Sequence, residues 1–201
     1  MPPLRVRIRS LSARWLEQPG ARALDRLGVT PNVATLLGLA LSIVSAFLVA
    51  TGALALGGVV LLASGVLDMM DGALARLTGR ASRGGALLDS VADRLAEAAV
   101  LLGLLVLALA REDDALAVLA FLALATSVLV SYIRARAEGL GLGESPGLVT
   151  RPERVVVLGL GLILGFPSAA LGLIVVGSAA TSAHRFMHAW KGLRRQDGQE
   201  S

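Results

Sequence analysis

Apolar residues run along this chain in long blocks, and the polar residues collect between the blocks instead of alternating within them. A helix needs about 20 predominantly apolar residues to cross a bilayer, so each block reads as a candidate span. The first covers residues 31–50, with Thr30 placed to cap it, Pro31 in its first turn, and Thr51 and Gly52 at its end. Further candidates cover about residues 53–77, 85–110 and 115–136. The apolar stretch 155–183 is short for two spans, but Phe166, Pro167 and Ser168 break it in the middle. Two helices are predicted there, each extending past its apolar part on the same side, with Arg154 and Arg185 in a polar region.

The pattern predicts an all-α, polytopic membrane protein of six transmembrane helices. Residues 1–29 mix Arg5, Arg7, Arg9, Arg14, Arg22 and Arg26 with Leu4, Leu11, Trp15 and Leu24. They read as an amphipathic juxtamembrane helix rather than a signal peptide, the alternative being a disordered basic tail. A six-helix domain over residues 30–192 and a polar tail over 193–201 complete the predicted organisation.

Composition supports this. The chain is 55% hydrophobic with 23 glycines and only 3% aromatic residues, and its mean hydropathy is +0.71. That is the makeup of closely packed membrane helices. The absence of cysteine excludes thiol, disulfide and zinc–thiolate chemistry. A net charge of +4 could suggest a nucleic-acid partner, but no motif supports one, and the placement of the charges suggests membrane topology instead. Six arginines precede the first span. Arg76, Arg80 and Arg83 follow the second, Arg134, Arg136, Arg151 and Arg154 surround the connection after the fourth, and Arg185, Lys191, Arg194 and Arg195 close the chain. All fall on one side, whereas the other side has only Arg111 among acidic neighbours. By the positive-inside rule, the expectation is a multi-pass protein of the cell membrane with both termini cytoplasmic.

The second block carries charge in its final third, where it reads Asp68-Met69-Met70-Asp71-Gly72-Ala73-Leu74-Ala75-Arg76, and from this stretch Asp68, Asp71, Gly72, Ala75 and Arg76 stand out. At 100° per residue these occupy an arc of about 140°, one helix face. Asp89 and Asp93, four apart in the next block, share a face too. The short polar connection predicts that the two helices are antiparallel neighbours, so four carboxylates converge. Carboxylates this close need cations, and an all-oxygen set suits Mg²⁺ or Mn²⁺; a pair of such ions suits displacement at phosphorus.

These residues fit D-x2-D-G-x2-A-R-x8-G-x3-D-x3-D, and the chain thereby resembles the CDP-alcohol phosphotransferase family. The resemblance implies that Asp68, Asp71 and Asp89 bind metal, that Asp93 completes the metal site and acts as catalytic proton acceptor, and that Gly72, Ala75 and Arg76 hold the CDP moiety, with Gly85 in register. It implies two Mg²⁺ ions, CDP-diacylglycerol or a related CDP-lipid as donor, a cytoplasmic active site and a homodimer. Thr30-Pro31-Asn32-Val33-Ala34-Thr35 is similar to the family's entry to its first span, making Asn32 and Thr35 candidate nucleotide contacts beside a helix amino terminus. A plain helix cap accounts equally well for Thr30 and Pro31. Where relatives show T-x-F-G, this chain has Ser82-Arg83-Gly84-Gly85, which keeps a hydroxyl and loses the aromatic.

The acceptor is read elsewhere. Arg134, Arg136, Arg151, Arg154 and Arg185 place guanidinium groups at the cytoplasmic ends of the last three spans, with the Ser131 hydroxyl beside them, which suits a phosphorylated alcohol. The stretches Ser131–Glu138 and Arg151–Arg154 resemble those of phosphatidylinositol-phosphate synthases, the branch that uses inositol 1-phosphate. That resemblance implies phosphate contacts from Ser131, Arg134, Arg154 and Arg185, whereas anchoring to lipid headgroups is the other reading of Arg136, Arg151 and Arg194. Glycerol 3-phosphate is the alternative acceptor. From other classes, a cation transporter would need a path across the bilayer and often shows repeated halves, and a scaffold would need no ordered aspartates. No repeat is visible.

Overall fold

The structure, a computed structural model, describes residues 17–143, 147 and 149–200, with side chains to residue 196. Most of the predicted juxtamembrane helix, with Arg5 to Trp15, lies outside the described residues. Those described are helical throughout: α1 (Gln18–Arg26), α2 (Pro31–Ala50), α3 (Leu54–Leu77), α4 (Arg83–Ala110), α5 (Asp114–Gly139), α6 (Arg151–Ile163) and α7 (Pro167–Glu200). No strand occurs among them.

Local chemistry sets the helix starts. Thr30 accepts from the Val33 amide and Pro31 fills the first position of α2. Ser82 caps α4 through the Gly85 amide at 3.0 Å, and Asp113 caps α5 through Leu116 at 2.9 Å. Thr150 and Glu153 form a reciprocal capping box on α6. Tight turns after α2 and α6 each contain a glycine at positive φ, Gly52 and Gly165.

The helices close into a ring. α2 packs on α3, α3 on α6, α6 on α7, α7 on α5, α5 on α4, and α4 back on α2, while α1 lies outside against α3. The sequence expectation that α3 and α4 are packed neighbours is corrected here. Each packs instead on α2, because small residues let both approach it closely. A Cβ on Gly103 of α4 would come within 2.4 Å of the Ala46 carbonyl of α2. Ser45 bonds the Gly57 carbonyl at 2.8 Å, and Ser42 and Ser64 meet at 2.7 Å between α2 and α3.

The ring interior has two halves. Toward the turns at 51–53, 111–113 and 164–166 it is filled by Val49, Leu61, Val100, Leu104, Leu116, Ala123, Leu158, Leu162, Leu171 and Ile174. The other half holds the aspartates and arginines. This apolar plug is unlike the continuous polar path that an ion transporter needs.

Four helices are long and apolar enough to cross a membrane: α2, α3, α5 and α7. α4 has the length, 28 residues, but carries Asp89, Asp93, Arg94 and Glu97 between its second and fifth turns. α6 has 13 residues, about 20 Å of helix against a hydrocarbon core of about 30 Å. The six-span pattern is therefore matched by six ring helices, of which four meet the requirement for crossing on length and composition.

Candidate active site

The carboxylates gather inside the charged half of the ring. Asp68 and Asp71 come from the last three turns of α3 and Asp89 from the second turn of α4, and one oxygen of each lies within 4.8 Å of the others. Asp71 is 5% exposed and accepts a 2.6 Å hydrogen bond from the Thr35 hydroxyl of α2. α2, lying between α3 and α4, thus orients a carboxylate for the cluster. Three oxygen donors on two helices, with no sulfur or imidazole among them, fit a hard divalent cation.

Asp93 stands beside this group, one turn deeper on α4 than Asp89. Arg151, at the start of α6, ion-pairs with both Asp68 and Asp93. Because α6 faces α4 across the ring, the contact spans the interior. Arg151 is largely buried and supplies the nearest positive charge to the carboxylates. The headgroup-anchor reading of Arg151 in the sequence does not describe this position.

Around the cluster, Gly72 faces open space. A Cβ there would meet only the Arg76 guanidinium, at 3.5 Å. A Cβ on Gly85 would meet the Ser82 hydroxyl at 3.1 Å and the Asn32 side-chain oxygen at 3.3 Å. The entry to α2 and the start of α4 therefore lie side by side, joining Asn32, Ser82 and Gly85 in one cradle. Ala75 is half-buried and Arg76 is exposed, 3.6 Å from Glu17 ahead of α1. Thr35 lies at the same end of α2, with its hydroxyl directed at Asp71.

The residues expected to hold the acceptor are spread over three helices. Arg154 is buried on α6 and makes a bidentate pair with Glu97 of α4, at 2.7 and 2.9 Å. Arg185 is buried on α7, donates to the Val130 carbonyl of α5 at 3.0 Å, and lies against the backbone at Gly147. Ser131 is half-buried on α5. Arg134, one turn on, is exposed and pairs with Glu138 at 2.7 Å. Glu97 escaped the sequence reading, although the spacing Asp89-x3-Asp93-x3-Glu97 continues one helix face and could have shown it.

Residues 28–183 match the sequence profile of the CDP-alcohol phosphatidyltransferase family. The chain belongs to that family. It is therefore a transferase, and the aspartates that converge in the ring are those of the family signature. Among this CDP-alcohol phosphatidyltransferase's relatives, the phosphatidylinositol phosphate synthase of Mycobacteroides abscessus is 39% identical over 183 residues, covering 87% of this chain and 83% of its own. The archaetidylinositol phosphate synthase of Pyrococcus horikoshii is 34% identical, with 93% and 97% covered. A crystal structure of the Mycobacterium tuberculosis phosphatidylinositol phosphate synthase with CDP-DAG bound is similar at a TM-score of 0.78 and 36% identity, over 87% of this chain and 94% of that one. The same enzyme in complex with manganese and citrate matches at a TM-score of 0.78 and 36% identity, over 87% and 88%. A divalent metal in that relative agrees with the oxygen donors clustered here.

Proposed function

We propose that this transferase moves the phosphatidyl group of CDP-diacylglycerol to a hydroxyl of inositol 1-phosphate, releasing CMP. The observation that carries the reading is the meeting of the signature carboxylates with two arginines of α6 inside one half of the ring: a site for divalent metal and pyrophosphate beside groups suited to a second phosphate. The naming of relatives as inositol phosphate synthases favours this acceptor over glycerol 3-phosphate.

Asp68, Asp71 and Asp89 hold Mg²⁺, with Asp93 completing a site for two ions and Mn²⁺ able to substitute. Bound there, the metal neutralises the pyrophosphate and the charge that develops on departing CMP. Thr35 keeps Asp71 turned into the site. Asn32, Thr35, Gly72, Ala75, Arg76, Ser82 and Gly85 form the CDP side. Gly72 and Gly85 let the nucleotide approach the backbone, and the amino-terminal amides of α2 favour its phosphates. Ser131, Arg134, Arg154 and Arg185 bind the acceptor phosphate and orient its hydroxyl. That oxygen attacks the lipid-linked phosphorus, the bond from phosphorus to the CMP oxygen breaks, and the hydroxyl proton passes to Asp93. No covalent enzyme intermediate is required.

In this reading all six ring helices sit in the cell membrane, with the charged half, the site and both termini on the cytoplasmic side. α4 and α6 are tolerated there because Asp93, Glu97, Arg151 and Arg154 pair across the interior of the ring. The protein works as a homodimer. Its domain spans residues 30–192, after the juxtamembrane segment 1–29 and before the tail 193–201.

A panel of acceptors with purified protein, CDP-diacylglycerol and Mg²⁺ tests the assignment. Inositol 1-phosphate is expected to outperform free inositol, serine and glycerol 3-phosphate. Better turnover of glycerol 3-phosphate would make the enzyme a phosphatidylglycerophosphate synthase and leave the aspartate chemistry intact.

A further inference from the structure

One member of an ion pair in the charged half of the ring, Glu97, has no part in the transfer as described. Asp89, Asp93 and Glu97 follow one another at intervals of four along α4, so they stand in a row. Arg151 and Arg154 are one turn apart on α6, which faces α4 across the ring. The two rows meet as rungs, Arg151 with Asp93 and Arg154 with Glu97. Long side chains bridge an interior that the helix backbones leave open.

The second rung has a definite geometry. Arg154 Nε donates to Glu97 Oε1 at 2.7 Å and Nη2 to Oε2 at 2.9 Å, so one whole edge of the guanidinium is held. Arg154 is 3% exposed, and its remaining nitrogen, Nη1, is buried without a hydrogen-bond partner. A buried, charged donor left unpaired is costly, and an anionic oxygen is the ligand that would relieve it.

We propose that Glu97 is a positioning residue for the acceptor: by gripping the Nε–Nη2 edge of Arg154 it fixes the guanidinium across the ring and keeps Nη1 for a phosphate oxygen. This rests on the proposed role of Arg154 in binding the acceptor phosphate. Without Glu97 the arginine would be free to turn toward Asp93, one turn away on the same row, and would pay its rotamer freedom on each binding event. With it, the phosphate contact and the carboxylates Asp89 and Asp93 are tied to one rigid helix. The spacing between the acceptor and the donor phosphorus is then set by α4 itself.

The test uses the full-length enzyme in detergent with CDP-diacylglycerol, Mg²⁺ and inositol 1-phosphate. Glu97→Gln is expected to raise the KM for inositol 1-phosphate roughly ten- to a hundredfold, the range for a lost hydrogen bond to a charged group. The KM for CDP-diacylglycerol should move by less than about twofold, and Glu97→Asp, which keeps the charge, should recover part of the acceptor KM. Because Glu97 acts through Arg154, Glu97→Gln should add nothing in an Arg154→Lys background. An unchanged acceptor KM in Glu97→Gln, equal increases in both KM values, or additivity with Arg154→Lys would each overturn the proposal. So would a lower melting temperature with the acceptor KM intact, which is the signature of a purely structural pair. If Arg154→Lys itself leaves the acceptor KM unchanged, the failure lies in the assignment of Arg154 to the acceptor, and the role of Glu97 falls with it.

Discussion

Two aspartates of the same signature have different surroundings. Both pair with Arg151, but Asp68 belongs to the close group of three with Asp71 and Asp89, whereas Asp93 stands beside that group. Asp93→Asn is expected to abolish turnover while retaining CDP-lipid binding, because an amide still accepts hydrogen bonds but takes no proton. Asp68→Asn is expected to lose metal first and the nucleotide with it. Calorimetric titration with Mg²⁺ separates the two variants, and equal metal affinities would contradict the division of roles. Thr35→Val keeps the shape of the side chain and removes the 2.6 Å hydrogen bond to Asp71. Loss of a partner that orients a metal ligand typically costs about 10- to 100-fold in metal affinity, and a weakening of that order is the expected result of the same titration.

At the scale of elements, α2 is the part that assembles the site. Its carboxy-terminal half packs α3 and α4 through glycines and serines, and its first turns bring Asn32 to Gly85 and Thr35 to Asp71. Gly103 is where this packing is least forgiving, since any Cβ there meets the Ala46 backbone. Gly103→Val is expected to destabilise the protein by about 1–3 kcal/mol or more, as overpacking of a tight contact does. Because it pushes α4 from α2, it should also weaken metal binding, although residue 103 lies in the apolar half. A thermal melt with and without Mg²⁺ checks both, and a variant that melts normally would show that α4 has room to shift.

The whole molecule is a ring plugged with aliphatic side chains at one end and charged at the other, which suits chemistry at one membrane face. The proposed orientation predicts which positions are accessible from each side. Because the chain has no cysteine, single cysteines at 52, 141, 167 and 201 report it without interference. A membrane-impermeant thiol reagent on intact cells should label 52 and 167 and spare 141 and 201. Labelling of 141 would place the charged half outside and reverse the topology.

The hydrophobic blocks alone determined the helices, because a bilayer span demands an uninterrupted apolar run and its polar ends are visible as charge. The aspartate motif carried the resemblance to the family, and its spacing predicted that the carboxylates share helix faces, because residues three and four apart do so whatever surrounds them. Neither signal carries the order in which helices pack. Only the tertiary structure decided that α2 separates α3 from α4, since that depends on where small residues allow backbones to touch. It also decided that α6 faces α4 across the ring. Arg151 thereby changed meaning, from a headgroup anchor to a partner of Asp68 and Asp93, and Arg154, expected as a phosphate contact, gained Glu97 as its partner. The end of α6 at Ile163, where Gly165 turns the chain into α7, was by contrast legible in the break at Phe166-Pro167-Ser168. Long-range pairing across an enclosed space leaves no period in the sequence, so it became visible only in the fold.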